Sequence, residues 1–87
     1  MSLRARTLSK SVHSPDQLAF RSLLVKARKA AGLTQQELSK RLGKPQSFVA
    51  KYEGGERRLD VVEFVSVARA IGADPSRIVR ALMRLTG

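Results

Sequence analysis

The 87 residues contain no cysteine and no tryptophan, and histidine and tyrosine occur once each. Without cysteine there are no disulfides and no thiolate zinc sites, a composition that fits a reducing compartment. The single histidine, His13, lies in a segment of irregular pattern, which argues against a histidine-based metal centre. With one Tyr and three Phe, the chain lacks the aromatic platforms on which single-stranded RNA bases stack. Only seven carboxylates are present, scattered or placed as helix caps, and there is no Gly-rich phosphate loop. No pair of groups stands out whose surroundings would tune a catalytic pKa, so an enzyme is not expected and no cofactor is implied. No apolar run approaches the ~18 residues that span a bilayer. Met1 to Lys10 carries Arg4, Arg6 and Lys10 but not the apolar stretch of a secretory signal. A soluble cytoplasmic protein is the expectation.

Positive charge is what the chain has in excess. Seventeen Lys and Arg face seven Asp and Glu, for a formal net charge of +10. Between residues 40 and 58 stand Lys40, Arg41, Lys44, Lys51, Arg57 and Arg58, opposed only by Glu53 and Glu56. Such a balance suits a polyanionic partner; a basic face that merely keeps the protein soluble is the bland alternative. A chain this size buries roughly 60% of its unfolded surface, enough for one modest core.

Hydrophobic spacing predicts helices throughout. Residues 1–15 are rich in Ser, Arg and Lys without a clear period and read as a flexible basic tail, bounded by Pro15 and followed by a domain over 16–87. From Asp16 to Ala31, Phe20, Leu23, Leu24, Ala27, Ala30 and Ala31 recur at three and four, marking one buried face, with Ser14 or Asp16 as cap and Gly32 as stop. Thr34-Gln35-Gln36-Glu37 fits a capping box that opens a short helix with Leu38 and Leu42 inside, ended by Gly43. After Pro45 a third helix runs from about Gln46 to Glu53. It points Val49 and Tyr52 inward and Gln46, Ser47, Ala50 and Lys51 outward, with Phe48 also expected on the surface. Asp60 with Glu63 caps a fourth helix striped by Val61, Phe64, Val65, Ala68 and Ile71. Asp74-Pro75 opens a fifth with Ile78, Val79, Leu82 and Leu85. No segment reads as a strand. The expected fold is all-α, five helices joined by short loops.

The stretch from Thr34 to Gly55 carries the functional signal. Two short helices meet at a tight turn, and the second opens with polar and basic side chains. That arrangement presents a helix end from a compact support, the geometry with which a helix enters the major groove of DNA. Ser39 is small where the second helix would pack across it, and Gly43 accepts the positive φ that a residue with a Cβ resists. Gln35, at a helix start beside free backbone amides, is placed to donate to a phosphate oxygen.

Residues 28–71 resemble the lambda-repressor-like helix-turn-helix domains of phage repressors, Cro proteins and XRE-type bacterial regulators. The matching features are Gln35, Ser39, Gly43, Val49, Tyr52 and Glu53 followed by a glycine pair. The resemblance implies a five-helix DNA-binding domain in which Gln35 meets a phosphate and Gln46, Ser47 and Lys51 touch base edges. Gln pairs well with adenine and Lys with guanine. It also implies that Arg28 of the first helix pairs with Glu53 at the end of the reading helix. Lys44, Arg57 and Arg58 flank that helix and are expected on phosphates. Phe48 and Pro45 depart from the polar residues common in the family at those places.

The reading that follows is a sequence-specific regulator of transcription, a repressor that occupies an operator in double-stranded DNA. The resemblance adds a homodimer held near the C-terminal helices, although core burial explains Ile78, Leu82 and Leu85 as readily. The alternative is an antitoxin-type DNA-binding protein whose main partner is a toxin or other protein, held by the N-terminal tail.

Overall fold

The computed structural model describes residues 14–87, so the tail expected over 1–15 lies, up to residue 13, outside the described residues. The helices are α1 (Pro15–Ala30), α2 (Gln35–Arg41), α3 (Ser47–Glu53), α4 (Val61–Ile71) and α5 (Pro75–Thr86), and no strand occurs among the described residues. The all-α, five-helix expectation holds, with helix starts within a residue of those read from the sequence.

Local chemistry sets the starts. The Ser14 hydroxyl accepts from the Gln17 amide at 3.2 Å, and Pro15 fills the first helical position, where no intrahelical donor is lost. At α2 the Thr34 hydroxyl accepts from the Glu37 amide at 3.0 Å while the Glu37 carboxylate accepts from the Thr34 amide at 2.9 Å. Asp60 and Glu63 repeat the reciprocal box at α4, at 2.7 and 3.0 Å. Asp74 accepts from the Ser76 amide at 2.9 Å and precedes Pro75 at α5. Between α2 and α3 the chain reverses at Gly43, whose φ of +65° lets the Lys44 amide reach back to the Ser39 carbonyl at 3.0 Å.

At seven residues each, α2 and α3 fall short of the ~12–15 needed for a helix to persist alone. Burial supplies the difference. Leu24, Leu38, Val49, Tyr52, Val67 and Ala68 are almost wholly buried at the centre, and each large one contributes about 1.5–3 kcal/mol. The longer helices form the frame: α1 packs on α3, α4 and α5, and α2 lies against α3 and α4. An edge-to-face pair of Phe20 and Phe64, centroids 5.3 Å apart, joins α1 to α4. The Arg41 guanidinium donates to the Ala70 carbonyl at 3.1 Å and ties α2 to α4.

Three apolar stripes differ from the sequence reading. Ala30 and Ala31 are exposed, and the inner face of α1 takes in Arg21 and Arg28 instead. Val61 is also exposed, because the first residue of α4 projects before the helix meets the core; Phe64, Val67, Ala68 and Ile71 form the buried stripe. On α5 Ile78 is buried and Leu82 half-buried, whereas Val79, Met83 and Leu85 stay exposed.

Gly43→Ala is expected to destabilise the domain by about 1–2 kcal/mol, the cost of a Cβ in the left-handed region. A Cβ there would meet nothing within 4 Å, so the loss is conformational and Gly43→Asn should recover part of it. Thermal unfolding checks this, with a fall of roughly 4–8 °C per kcal/mol.

The caps also set the acid response. Hydrogen bonds from the Thr34 amide and hydroxyl hold the Glu37 carboxyl below its ordinary 4.5, and those from the Asp60 amide and the Arg57 guanidinium do the same for Glu63. Asp74 is held below 3.8 by the Ser76 hydroxyl and amide. Depressed carboxyls contribute stability above their ordinary values, and it is lost as pH falls through the folded ones. The urea midpoint should therefore hold from pH 7 to about 5 and decline below 4.5.

Candidate nucleic-acid interface

The turn brings α3 across α2 at Ser39. This side chain is 1% exposed, and its hydroxyl both donates to the Gln46 carbonyl and accepts from the Val49 amide, each at 3.3 Å. A small residue lets the helices cross closely, and its one oxygen serves two backbone groups at the start of α3 that would otherwise go unpaired.

With that end fixed, α3 has two distinct faces. Val49 and Tyr52 are buried to 0% and 1% exposure, and burial pushes the Tyr52 phenol well above its ordinary pKa, so it stays neutral. Gln46, Ser47, Ala50 and Lys51 are all exposed on the other side. An open groove of about 750 Å³ runs between the start of α2 and this face, lined by Thr34, Gln35, Gln46, Ser47 and Ala50. Lys51 lies outside the groove lining, one turn further along the helix from Ser47.

Gln35 lines the same groove, but its amide is already engaged: it donates to the Glu53 carboxylate at 2.8 Å. Its first partner is thus within the protein, and one remaining N–H and the carbonyl oxygen are left to act on anything outside. The sequence offers no local sign of this bond, since the partners are eighteen positions apart.

Glu53 is the hub of a buried charge cluster. Arg28 donates to it through Nε at 2.8 Å and through Nη2 at 3.0 Å, and sends Nη1 to the Leu33 carbonyl at 2.7 Å. The two side chains are only 9% and 5% exposed. The Glu53 carboxylate raises the Arg28 pKa against the opposing effect of burial, so the guanidinium remains charged. The last turn of α1 is joined in this way to the end of α3 and the start of α2.

The flanking cations divide. Lys44 and Arg58 are exposed. Arg57 is half-buried and paired with Glu63 at 3.0 Å. Phe48, expected on the surface, is 9% exposed. It meets Tyr52 edge to face with centroids 5.6 Å apart, and Lys44 Nζ and Arg57 Cζ lie 5.5 and 4.9 Å from its ring centre. The turn before α3 and the loop after it close over the ring. A spacing of four from the buried Tyr52 was the available signal that Phe48 shares its side of the helix.

A short helix held across a second through a glycine turn, with a polar outer face and basic flanks, defines a helix-turn-helix domain. The comparisons agree. The helix-turn-helix family profile matches residues 24–78. An XRE-family-like protein from Pseudomonas syringae pv. tomato str. DC3000 is 50% identical over 87% of this chain and 93% of that one, with a TM-score of 0.81. The restriction-modification controller protein C.AhdI from Aeromonas hydrophila is 29% identical over 75% of this chain and 98% of its own, with a TM-score of 0.68. The clp gene regulator ClgR from C. glutamicum shares the fold, with a TM-score of 0.73 at 19% identity over 86% and 97% of the two chains. A search of curated proteins found no significant match. The chain belongs to the XRE-type helix-turn-helix family, whose fold is that of DNA-binding transcription regulators. No helix among the described residues is long and apolar enough to cross a membrane.

Removing one partner of the Arg28–Glu53 pair should strand a buried charge and cost about 3–5 kcal/mol, while exchanging both for apolar residues of similar size should cost far less. Urea unfolding of Arg28→Met, Glu53→Leu and the double variant measures this. Additive losses would show that the two side chains are not coupled.

Proposed function

We propose that the protein is a sequence-specific repressor that reads the major groove of double-stranded DNA with α3 and acts in the cytoplasm. The observation that carries this reading is the polarity of α3. Its inner side chains are sealed in the core, and Gln46, Ser47, Ala50 and Lys51 stand free on the opposite face. Gln46 and Ser47 at the leading end are suited to base edges, Gln to adenine above all, with Lys51 reaching a guanine one turn on. Lys44 and Arg58 would fix register on the phosphates, joined by Arg57 if it leaves Glu63. Gln35, held by Glu53 on the rim of the same groove, offers its remaining N–H to the DNA backbone.

Two copies fit this role better than one. Val79 and Met83 share the outer side of α5, at 43% and 64% exposure, and Leu85 stays exposed near the helix end, apolar surface that a second copy would cover. Pairing through that side would place two reading helices on half-sites about 34–36 Å apart, one turn of the duplex.

Selection of bound sequences from a random duplex pool is the direct test. A two-fold symmetric site is expected. Gln46→Ala should relax preference at one position by about 1–3 kcal/mol, while Arg58→Ala should weaken all duplexes alike. With about five phosphate contacts per subunit, log affinity should fall against log salt with a slope of roughly −4 to −5. Met83→Lys should shift sedimentation toward the monomer. A pool that yields no enriched sequence would reduce the protein to a generic basic binder.

A further inference from the structure

We propose that Phe48 is a positioning residue whose ring holds Lys44 and Arg57, the cations on either side of the reading helix, in the poses from which they meet phosphates. The inference rests on the DNA-binding reading above. It adds a function for a side chain that is itself buried and touches neither base nor backbone.

Two cations meet this ring, and a carboxylate pairs with one of them. Lys44 comes from the turn before α3, Phe48 from its first turn, Arg57 from the loop after it, and Glu63 from the first turn of α4. Both cations lie within the ~6 Å at which a ring face attracts positive charge. Their distances to one centroid keep them no more than about 10 Å apart, so one ring serves the cations before and after α3. The ring is a fixed platform, because it is nearly buried and its edge packs on Tyr52, which is buried more deeply still.

The chemistry of the platform matters. A lysine side chain free in solvent must give up its rotamer freedom when it grips a phosphate, and a pose set beforehand reduces that cost. A carboxylate would also hold the cation but would cancel the charge that draws the duplex. An aromatic face carries no net charge, so it orients Lys44 without itself cancelling any of its charge, although the Glu63 carboxylate also lies within electrostatic reach of Lys44. Glu63 takes the opposite part for Arg57. It pairs with the guanidinium at 3.0 Å and tempers it in the free protein, and the ring keeps Arg57 in place when a phosphate competes for it.

The test compares the wild-type protein with Phe48→Leu, which keeps an apolar side chain in the core and removes the ring face. Affinity for a selected duplex and for a random one should fall by the same factor, about three- to tenfold. The salt slope should become shallower by about one to two, with base preference unchanged. Lys44→Gln should cost the wild type several-fold and the Phe48→Leu variant little. Wild-type affinity and slope in Phe48→Leu, or an equal cost of Lys44→Gln in both backgrounds, overturns the proposal. Should the leucine variant fail to fold, a ring-fluorinated phenylalanine at position 48 keeps the shape and weakens the face; the same loss is expected, and no change overturns the idea. In the free protein the Lys44 methylene protons should show upfield ring-current shifts by NMR. Duplex binding without those shifts overturns the clamp alone. Shifts without binding to any duplex overturn the DNA-binding reading and the phosphate role with it.

Discussion

Where α3 ends, Glu53 receives two hydrogen bonds from Arg28 and one from Gln35, so the last turn of α1 is joined to both helices of the helix-turn-helix. Apolar burial could not do this alone. Contacts around Val49 and Tyr52 draw α3 onto the core, but they are non-directional and leave its rotation and slide weakly determined. The fork of a guanidinium on a carboxylate has one good geometry. Ser39 does the same at the other end, where its hydroxyl serves two backbone groups of the α3 start. A seven-residue helix is thus pinned by polar contacts at each end and by a greasy seam between them. That is why so short an element can present side chains at a defined angle.

What was legible in the sequence is what depends on neighbours three or four positions away. The boxes at Thr34 and Asp60, the Asp74-Pro75 start and the turn at Gly43 are each complete within a few residues, and the structure places them as expected. The outward set on α3 was equally readable, because Val49 and Tyr52 define the inner side by spacing. The Arg28–Glu53 pair was reached by resemblance and not by pattern, since twenty-five positions separate the two.

The misreadings share a cause. The spacing of four from Tyr52 sets Phe48 on the inner side of α3, but the turn and the loop nine residues further on that close over it lie outside any pattern within the helix. Gln35, still offered as a phosphate donor, also has a partner that spacing does not announce, because the fold brings the Glu53 carboxylate to it. Ala30 and Ala31 have the right spacing but lie past the point where α1 leaves its neighbours, and Val61 lies before the point where α4 meets its own. Arg21 shows the converse: a long charged side chain outside the apolar spacing of α1 lies on its buried face, where its stem can pack against the core.

On the proposed reading, the brevity of α3 limits how much genetic text one copy can spell out. Seven residues at about 1.5 Å each make a rod about 10 Å long, alongside some three successive base pairs at about 3.4 Å. A word of that length recurs by chance throughout a chromosome, against a background of about 10⁶–10⁹ competing sites. A unique address read in this way would have to be composed, from short words joined at fixed spacing and from the stiffness of the bases that lie untouched between them.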